Sequence, residues 1–390
     1  MIKREIKEDV YELPAIDWDR RLFDSLIPLP DGTSYNAYLI KGSEKTVLLD
    51  TVDPTMTHYL MEQLEDTPKI DYIVIHHIEQ DHSGSLPSVL KKYNDAKVII
   101  SSRGKDMLID HLHIPEERII TVNDGEIISL GDKTLKFIYT PWVHWPETMS
   151  TYLVEDKILF TCDFFGSHLA TNSLYATDKN RVYESAKRYY AEIMMPFRTI
   201  IKNNLEKLKD YEISIIAPSH GPIYNEPSFI INAYKDWISD NPKNVAVVPY
   251  ISMHNSTREM VDYLVDSLTK RDVYVERFDL SSVDLGKLAM SLVDAATIII
   301  GTPTVLTGPH PNVIYAAYLC NALRPKLRYA SIIGSYGWGG KTVDYIKNML
   351  TNLKVEILEP VMVKGLPRVE DLKVIDRLAD QIAEKHRQFV

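Results

Sequence analysis

Between Val74 and Ser85 the chain sets His77, Glu79, Asp81 and His82 within six residues, directly after the apolar run Tyr72 to Ile75. Carboxylates and imidazoles packed this densely are costly to bury unless a cation neutralises the carboxylates and takes up the imidazole lone pairs. Three more residues of the same chemical type follow: His144, 62 residues after His82; Asp163, 19 further on; and His220, 57 beyond that. Each lies where an apolar run meets a turn, the place from which a strand presents side chains to a site at its exit. One histidine so placed is more often structural than a ligand. Four histidines and three carboxylates together point to a metal centre.

The elements that must position these residues can be read from the pattern. Asn36 to Ile40 and Thr46 to Asp50 are apolar runs split by Gly42-Ser43-Glu44-Lys45, which predicts a hairpin. A helix over Thr57 to Leu64 leads to a strand over Asp71 to His76. Lys133 to Tyr139 and Ser150 to Val154 flank the turn that carries His144, and the strand Lys157 to Cys162 ends at Asp163. Asn180 to Met195 predicts a long helix that Pro196 ends or kinks. Ile213 to Ala217 is a strand before His220, and Tyr224 to Ile238 a closing helix.

The polar stretch Asp240 to Asn244 is the best domain boundary, which divides the chain into 1–242 and 243–390. Beyond it strands and helices alternate. The strands are Val245 to Ile251, Val273 to Phe278, Thr297 to Gly301, Tyr329 to Gly334 and Val355 to Leu358. The helix from Thr257 shows Met260, Val261, Leu264, Val265 and Leu268 on one face. This alternation predicts a doubly wound parallel sheet. Ser252, Met253, His254, Asn255, Ser256 and Thr257 follow the first strand and open a helix, where hydroxyls and free backbone N–H groups make an anion cradle. Helix capping is the blander use of the same residues. Gly334 to Thr342 imitates a phosphate-binding P-loop, but its glycine spacing is one residue too long and it follows a fourth strand. No GxGxxG opens the domain, which argues against a tightly bound dinucleotide.

Bulk composition narrows the class. Apolar residues make up 45% and charged residues 25% of the 390, as in ordinary globular proteins. A net charge of −10 argues against a nucleic-acid surface. Cys162 and Cys320 are isolated, so neither a disulfide framework nor a thiolate metal site is expected. The charged N-terminus predicts no signal peptide, and no apolar run reaches the length of a membrane span. A cytoplasmic location is the expectation.

The ligand spacing resembles the metallo-β-lactamase superfamily, and more closely its flavodiiron branch, the A-type flavoproteins. The hydrolytic members carry HxHxDH; this chain has His77-x-Glu79-x-Asp81-His82, or HxExDH. Glu79 puts a hard anionic oxygen where zinc hydrolases have nitrogen, and mixed carboxylate–imidazole sets suit iron. The resemblance covers essentially the whole chain. It implies a metallo-β-lactamase-like αββα sandwich followed by a flavodoxin-like sheet of order 2-1-3-4-5. It implies that His77, Glu79 and His144 hold one iron, that Asp81, His82 and His220 hold the other, and that Asp163 bridges them. His76, Asp50 and His168 fall outside that set. His76 points away from His77 if the strand persists, Asp50 could orient a ligand, and His168 reads as structural.

The same resemblance assigns the cradle at 252–257 to the phosphate of FMN. It sets the isoalloxazine between two further loops, one with Pro303, Thr304, Val305 and Leu306, the other with Ser335, Tyr336, Gly337, Trp338, Gly339 and Gly340. The implied activity is reduction of dioxygen to water. Nitric oxide reductase on the same ligands is the alternative, ahead of a zinc metallo-hydrolase with a flavodoxin module or a non-catalytic electron carrier. The implied assembly is a head-to-tail homodimer, or a homotetramer of two such pairs. Without a rubredoxin-like CxxC pair, the expected electron source is external: rubredoxin or the reduced deazaflavin coenzyme F-420.

Overall fold

The structure is a computed structural model that describes residues 1–389. Its contacts divide the chain into two compact units. One is Met1–Tyr190 with Phe197–Ile238; the other runs from Ser239 onward together with Ala191–Pro196.

The first unit holds two packed sheets. The larger comprises β1 (Arg4–Lys7), β2 (Val10–Asp17), β5 (Thr33–Lys41), β6 (Thr46–Leu49), β7 (Tyr72–Val74), β8 (Lys97–Ser101) and β9 (Ile119–Val122), in that spatial order. A separate small hairpin, β3 (Leu22–Phe23) with β4 (Ile27–Pro28), sits between β2 and β5 in sequence. The second sheet is β10 (Ile127–Ser129), β11 (Thr134–Tyr139), β12 (Met149–Leu153), β13 (Ile158–Cys162) and β14 (Ile215–Pro218). Successive strand residues point to opposite faces, and the sequence uses that period. On β5, Tyr35, Ala37 and Leu39 join one core while Tyr38 and Ile40 join the other. On β8, Val98 and Ile100 face the first core and Ile99 the second.

The first core lies under α1 (Thr57–Gln63), α3 (Leu86–Lys92) and α4 (Gly104–Leu112), through Leu60, Leu86, Val89, Leu90 and Leu108. The second core lies between the sheets, where Val47, Leu49 and Val74 meet Leu135, Phe137, Phe160 and Ile215. Helices α5 (Lys179–Tyr189), α6 (Arg198–Lys207) and α7 (Pro227–Trp237) complete the unit. Tyr152 of β12 meets Tyr211 just after α6, and Phe164 after β13 meets Tyr234 of α7. Helices therefore flank two facing sheets, the expected αββα sandwich.

Two local expectations change. β7 stops at Val74, before His76, and Asp81 and His82, expected at the strand's exit, ride on a short helix, α2 (Gln80–Ser83). The regular α-helix predicted to run to Met195 ends at Tyr189; a wider π turn over Tyr190–Met194 and a tight turn over Met195–Phe197 follow, where Pro196 has no N–H to donate.

The second unit is a parallel sheet. Its strands are β15 (Lys243–Tyr250), β16 (Tyr274–Asp279), β17 (Ala295–Val305), β19 (Tyr329–Tyr336) and a fifth strand in two pieces, β20 (Glu356–Ile357) and β21 (Val361–Lys364). A short β18 (Gly308–Pro309) folds back antiparallel on the end of β17. The order β16-β15-β17-β19 and then β20/β21 is the 2-1-3-4-5 arrangement that the family resemblance implies. The strand expected at Val355 to Leu358 is β20, and β21 is an additional piece beyond it. Pro360 lies in the gap between the two, and each pairs separately with β19. The sheet is accompanied by α8 (Ser256–Thr269), α9 (Leu285–Asp294), α10 (Pro311–Leu323), α11 (Thr342–Met349) and α12 (Val369–His386). Met260, Val261, Leu264 and Leu268 of α8 pack with Ile375, Leu378 and Ile382 of α12 over one sheet face.

Candidate functional site

All seven predicted metal residues converge. His77 and Glu79 follow β7, Asp81 and His82 lie on α2, His144 sits in the β11–β12 turn, and Asp163 and His220 directly follow β13 and β14. The organising group is the Asp163 carboxylate. Its Oδ2 lies 3.6 Å from His77 Nε2 and 3.4 Å from His144 Nε2. Its Oδ1 lies 2.9 Å from His82 Nε2 and 3.2 Å from His220 Nε2. Glu79 Oε2 closes the first triad at 3.0 Å from His77 and 2.9 Å from His144. Asp81 Oδ2 closes the second at 3.1 Å from His220 and 3.4 Å from His82. Two ligands on one ion with bonds of about 2.1 Å stand about 3.0–3.4 Å apart, so these spacings match the edges of coordination polyhedra.

The polar inventory tests whether hydrogen bonds alone explain the cluster. Both oxygens of Asp81, both ring nitrogens of His82 and Oδ1 of Asp163 are buried without a hydrogen-bond partner. His82 Nε2 and Asp163 Oδ1 are close, but they do not meet hydrogen-bond geometry; each is aimed past the other. Buried polar groups left in this state are strongly unfavourable. Lone pairs converging on two shared points, with five of seven residues almost wholly buried, fit a pair of cations.

Without a cation, the cluster compensates with protons. Burial works against charge on His144, but Asp163 and Glu79 lift its pKa to about 9. Burial likewise opposes charge on His220, and Asp163 and Asp81 carry it to about 10. His77 also ends well above the usual imidazole range: burial is outweighed by Glu147, Glu79 and Asp163. Burial would raise Glu79, yet contacts with His144 and His77 hold it low. Metal uptake must therefore displace protons.

The surrounding residues fix the ligands. His76 donates its backbone N–H to Asp50 Oδ1 at 2.8 Å, its Nδ1 lies 2.6 Å from Asp50 Oδ2, and its Nε2 lies 2.7 Å from Thr151 Oγ1. Both ring nitrogens of His76 are thus engaged away from the cluster, and the pair pins the start of the ligand loop. His220 Nδ1 donates to the Ser34 carbonyl at 2.8 Å, which leaves Nε2 as its ligating lone pair. Gly221 follows at φ +76°; a Cβ there would lie 2.1 Å from Ser167 Oγ, so only glycine lets the chain leave the site. His168 lies closer than a purely remote structural residue would. Its ring centroid is 5.1 Å from that of His220, Thr33 Oγ1 sits 2.9 Å from its Nδ1, and its buried Nε2 has no partner. Burial and the charge of His220 keep it neutral.

In the second unit a cleft of about 300 Å³ opens at the carboxyl ends of the strands. Ser252, Met253, His254, Ser256, Thr257, Pro303, Thr304, Ser335, Tyr336, Gly337 and Trp338 line it. Gly339 and Gly340 line the adjoining recess with Thr304 and Lys341. Asn255, Val305 and Leu306 are not among these walls, and Leu306 is 91% exposed. Asn255 instead starts α8 in a left-handed conformation, φ +68°, and its side chain caps nothing. Ser252 Oγ accepts the Arg258 N–H at 3.2 Å, and the N–H groups of Ser256 and Thr257 at the start of this 14-residue helix remain for an anion. Thr257 Oγ1 and Ser335 Oγ lie 3.0 Å apart across the cleft floor. A Cβ on Gly337 or Gly339 would meet nothing within 4 Å, so the loop leaves open space that a planar ring could occupy.

Comparison with known proteins agrees with this pairing of sites. Residues 33–221 match the model of the ODP family beta lactamases. A nitric oxide reductase of Moorella thermoacetica is 35% identical over 391 residues, 97% of this chain and 98% of its own. The chain belongs to the flavodiiron protein family. Two solved flavodiiron-type structures superpose over nearly their full length. The rubredoxin oxygen:oxidoreductase of Desulfovibrio gigas gives a TM-score of 0.95 at 29% identity, covering 99% of both chains. The flavodiiron protein of Giardia intestinalis gives 0.93 at 26% identity, covering 99% of this chain and 97% of its own. As a flavodiiron protein the chain is an oxidoreductase, with the metallo-β-lactamase-like and flavodoxin-like folds of that family. Among the described residues no helix is long and apolar enough to cross a membrane.

Three residues of this flavodiiron protein escaped the sequence reading. Glu147 is fully buried behind His77, with Oε1 3.1 Å from Nδ1. It stands three residues after His144 in the same turn, and that position was a usable signal. Asp24 tops the β3–β4 hairpin and reaches Glu79; burial and the charges of Glu79 and Asp81 push its carboxyl up to about 6. Gly365, just after β21, completes the flavin-side cleft. Nothing in the local sequence marks either of these two.

Proposed function

We propose that this flavodiiron protein reduces dioxygen to water at a pair of non-haem irons, with electrons relayed through FMN. The observation that carries the reading is the Asp163 carboxylate, each oxygen of which faces its own His–His–carboxylate triad. His77, Glu79 and His144 would hold one iron, Asp81, His82 and His220 the other, with Asp163 shared. Glu79 favours iron over zinc because it replaces a nitrogen donor with a hard anionic oxygen. The N-terminus of α8 would receive the FMN phosphate, Thr257 and Ser335 would line its floor, and the loops at 302–306 and 335–340 would flank the ring system.

Bound, the two irons and the flavin would supply the four electrons that take dioxygen to two waters. The protein's own part is to hold them. Ser34 sets the His220 tautomer, the Asp50–His76 pair anchors the loop before His77, and burial excludes water from the second triad. Electrons would come from an external donor, rubredoxin or the reduced deazaflavin coenzyme. A head-to-tail homodimer, alone or doubled into a tetramer, would pair the flavin of one subunit with the irons of the other.

Nitric oxide reduction is the second reading, favoured by the Moorella relative that carries that name. The decisive experiment is anaerobic reduction of the iron- and FMN-loaded protein, then exposure to dioxygen or nitric oxide in separate runs. A larger kcat/KM for dioxygen supports the first reading; a larger one for nitric oxide replaces it with the second. Zinc in place of iron would defeat both. The crossed dimer has its own check: His82→Ala mixed with Gly340→Val, whose new side chain would strike the Thr307 carbonyl, should recover activity after subunit exchange.

A further inference from the structure

The two metal positions are not equivalent behind their ligands. All four imidazoles turn Nε2 inward, so what each Nδ1 meets sets the electron richness of that ligand. His220 Nδ1 meets a neutral carbonyl, that of Ser34. His82 Nδ1 is buried without a hydrogen-bond partner, and the partly exposed His144 meets carboxylates only through Nε2. His77 Nδ1 meets the carboxylate of Glu147 at 3.1 Å. A carboxylate thus meets the Nδ1 of one ligand of the first position and of no ligand of the second, near which the buried Asp50 carboxylate is bonded to His76 instead.

Glu147 is held there firmly. Its side chain is fully buried, its Oε1 also accepts the Ile78 N–H at 3.0 Å, and its backbone carbonyl takes the Ser101 hydroxyl at 2.7 Å. Gly104 packs against its stem, where a Cβ would lie 3.3 Å from Glu147 Cγ and 2.7 Å from Ile100. Its Oε2 has no hydrogen-bond partner. A buried carboxylate with one bare oxygen is unfavourable unless nearby positive charge offsets it. Two divalent ions would bring four positive charges against the three of the ligands Glu79, Asp81 and Asp163, so the Glu147 carboxylate would not stand without counter-charge.

We propose that Glu147 is a positioning residue that assigns the ferric ion to the first metal position when the pair holds one ferric and one ferrous ion. This rests on the diiron reading. The Nδ1 proton of His77 is drawn toward Glu147, the imidazole gains anionic character, and such a ligand stabilises the higher oxidation state. The step is a one-electron oxidation: the ferrous ion at the His77 position gives its electron to the redox mediator, while the proton stays within the His77–Glu147 hydrogen bond. The second position, lacking this partner, is oxidised later, and the half-oxidised pair is correspondingly stable.

The test is a mediated potentiometric titration of the iron-loaded protein, with the half-oxidised signal followed by EPR and the iron sites by Mössbauer spectroscopy. Glu147→Gln keeps an oxygen for the Ile78 and His77 N–H groups and removes only the charge. The expected result is two irons per chain with the equilibrium constant for the half-oxidised state lowered at least about tenfold, which is 59 mV for a one-electron couple. Two irons with an unchanged constant would overturn the proposal, since a merely structural Glu147 moves neither potential. If the Gln variant loads poorly, Glu147→Asp decides: a constant close to wild type supports the proposal, and a tenfold fall with the charge still present overturns it. Wild-type protein holding fewer than two irons would instead defeat the diiron reading, before the question of Glu147 arises.

Discussion

The two halves of this flavodiiron protein build their sites by opposite means. In the first unit the site is made of charged side chains, buried and left with unmet polar atoms that a pair of cations would satisfy. In the second it is made of backbone, hydroxyls and space, with Trp338 74% exposed at the rim. Charge divides the same way: residues 1–238 carry 26 Lys and Arg against 37 Asp and Glu, while residues 239–390 carry 18 against 17. A site of the first kind is specified by residue identity, since replacing one ligand strands the others. A site of the second kind is specified by chain path, and tolerates change in any one side chain.

The largest expected effect follows from removing the shared carboxylate. Asp163→Asn should strip both metal positions and reduce turnover by at least about a hundredfold, while FMN content stays at one per chain. Parallel loss of FMN would break the contrast between the halves. Metal analysis and flavin absorbance read the two outcomes separately.

Next is the response of metal-free protein to pH. His144 and His220 rise to about 9 and about 10 in the folded cluster, above the free-imidazole value. Their contribution to stability is therefore complete below pH about 6.5 and is lost as pH climbs through 9 and 10. The melting temperature of metal-free protein should fall between pH 7 and pH 10. Iron-loaded protein, whose imidazoles are neutral ligands, should melt at nearly constant temperature over that window; calorimetry on both forms compares them, and matching profiles would contradict the assignment of these imidazoles as ligands.

On the flavin side the effects are smaller. Thr257→Ala removes a buried hydroxyl at the helix start and should weaken FMN binding about tenfold, with iron content unchanged, as a flavin titration of the apoprotein would register. Trp338→Ala should cost about 1 kcal/mol of flavin affinity through lost ring contact and leave thermal stability alone. An effect larger than that of Thr257→Ala would mean the cleft depends on side-chain identity after all.

The same contrast explains what could be read in advance. The seven candidate metal residues were legible because their chemistry is conspicuous and they cluster in the segments that follow strands. The strand–helix alternation located the loops and the family resemblance assigned them to the flavin; Asn255, Val305 and Leu306 lie outside the cleft walls because a loop's position does not say which side chains turn inward. Asp24 was invisible because its hairpin has two-residue strands and no periodic signal. β2 was missed because a buried Glu12, paired with Arg4, and Pro14 interrupt the alternation of an interior strand. β21 was missed because Pro360 closes the apolar run that ends at Leu358, and Val361–Lys364 is only four residues long.

β13 and β14 run parallel, with Cys162 opposite Pro218. Asp163 and His220 are therefore brought together by strand register alone, from positions 57 residues apart. A slip of two residues would carry His220 about 6.6 Å along the sheet, twice its 3.2 Å distance from Asp163. Iron uptake is then a proofreading signal for chain pairing: molecules that bind two equivalents have aligned these strands correctly, and a misthreaded fraction would betray itself as protein that holds FMN but no iron.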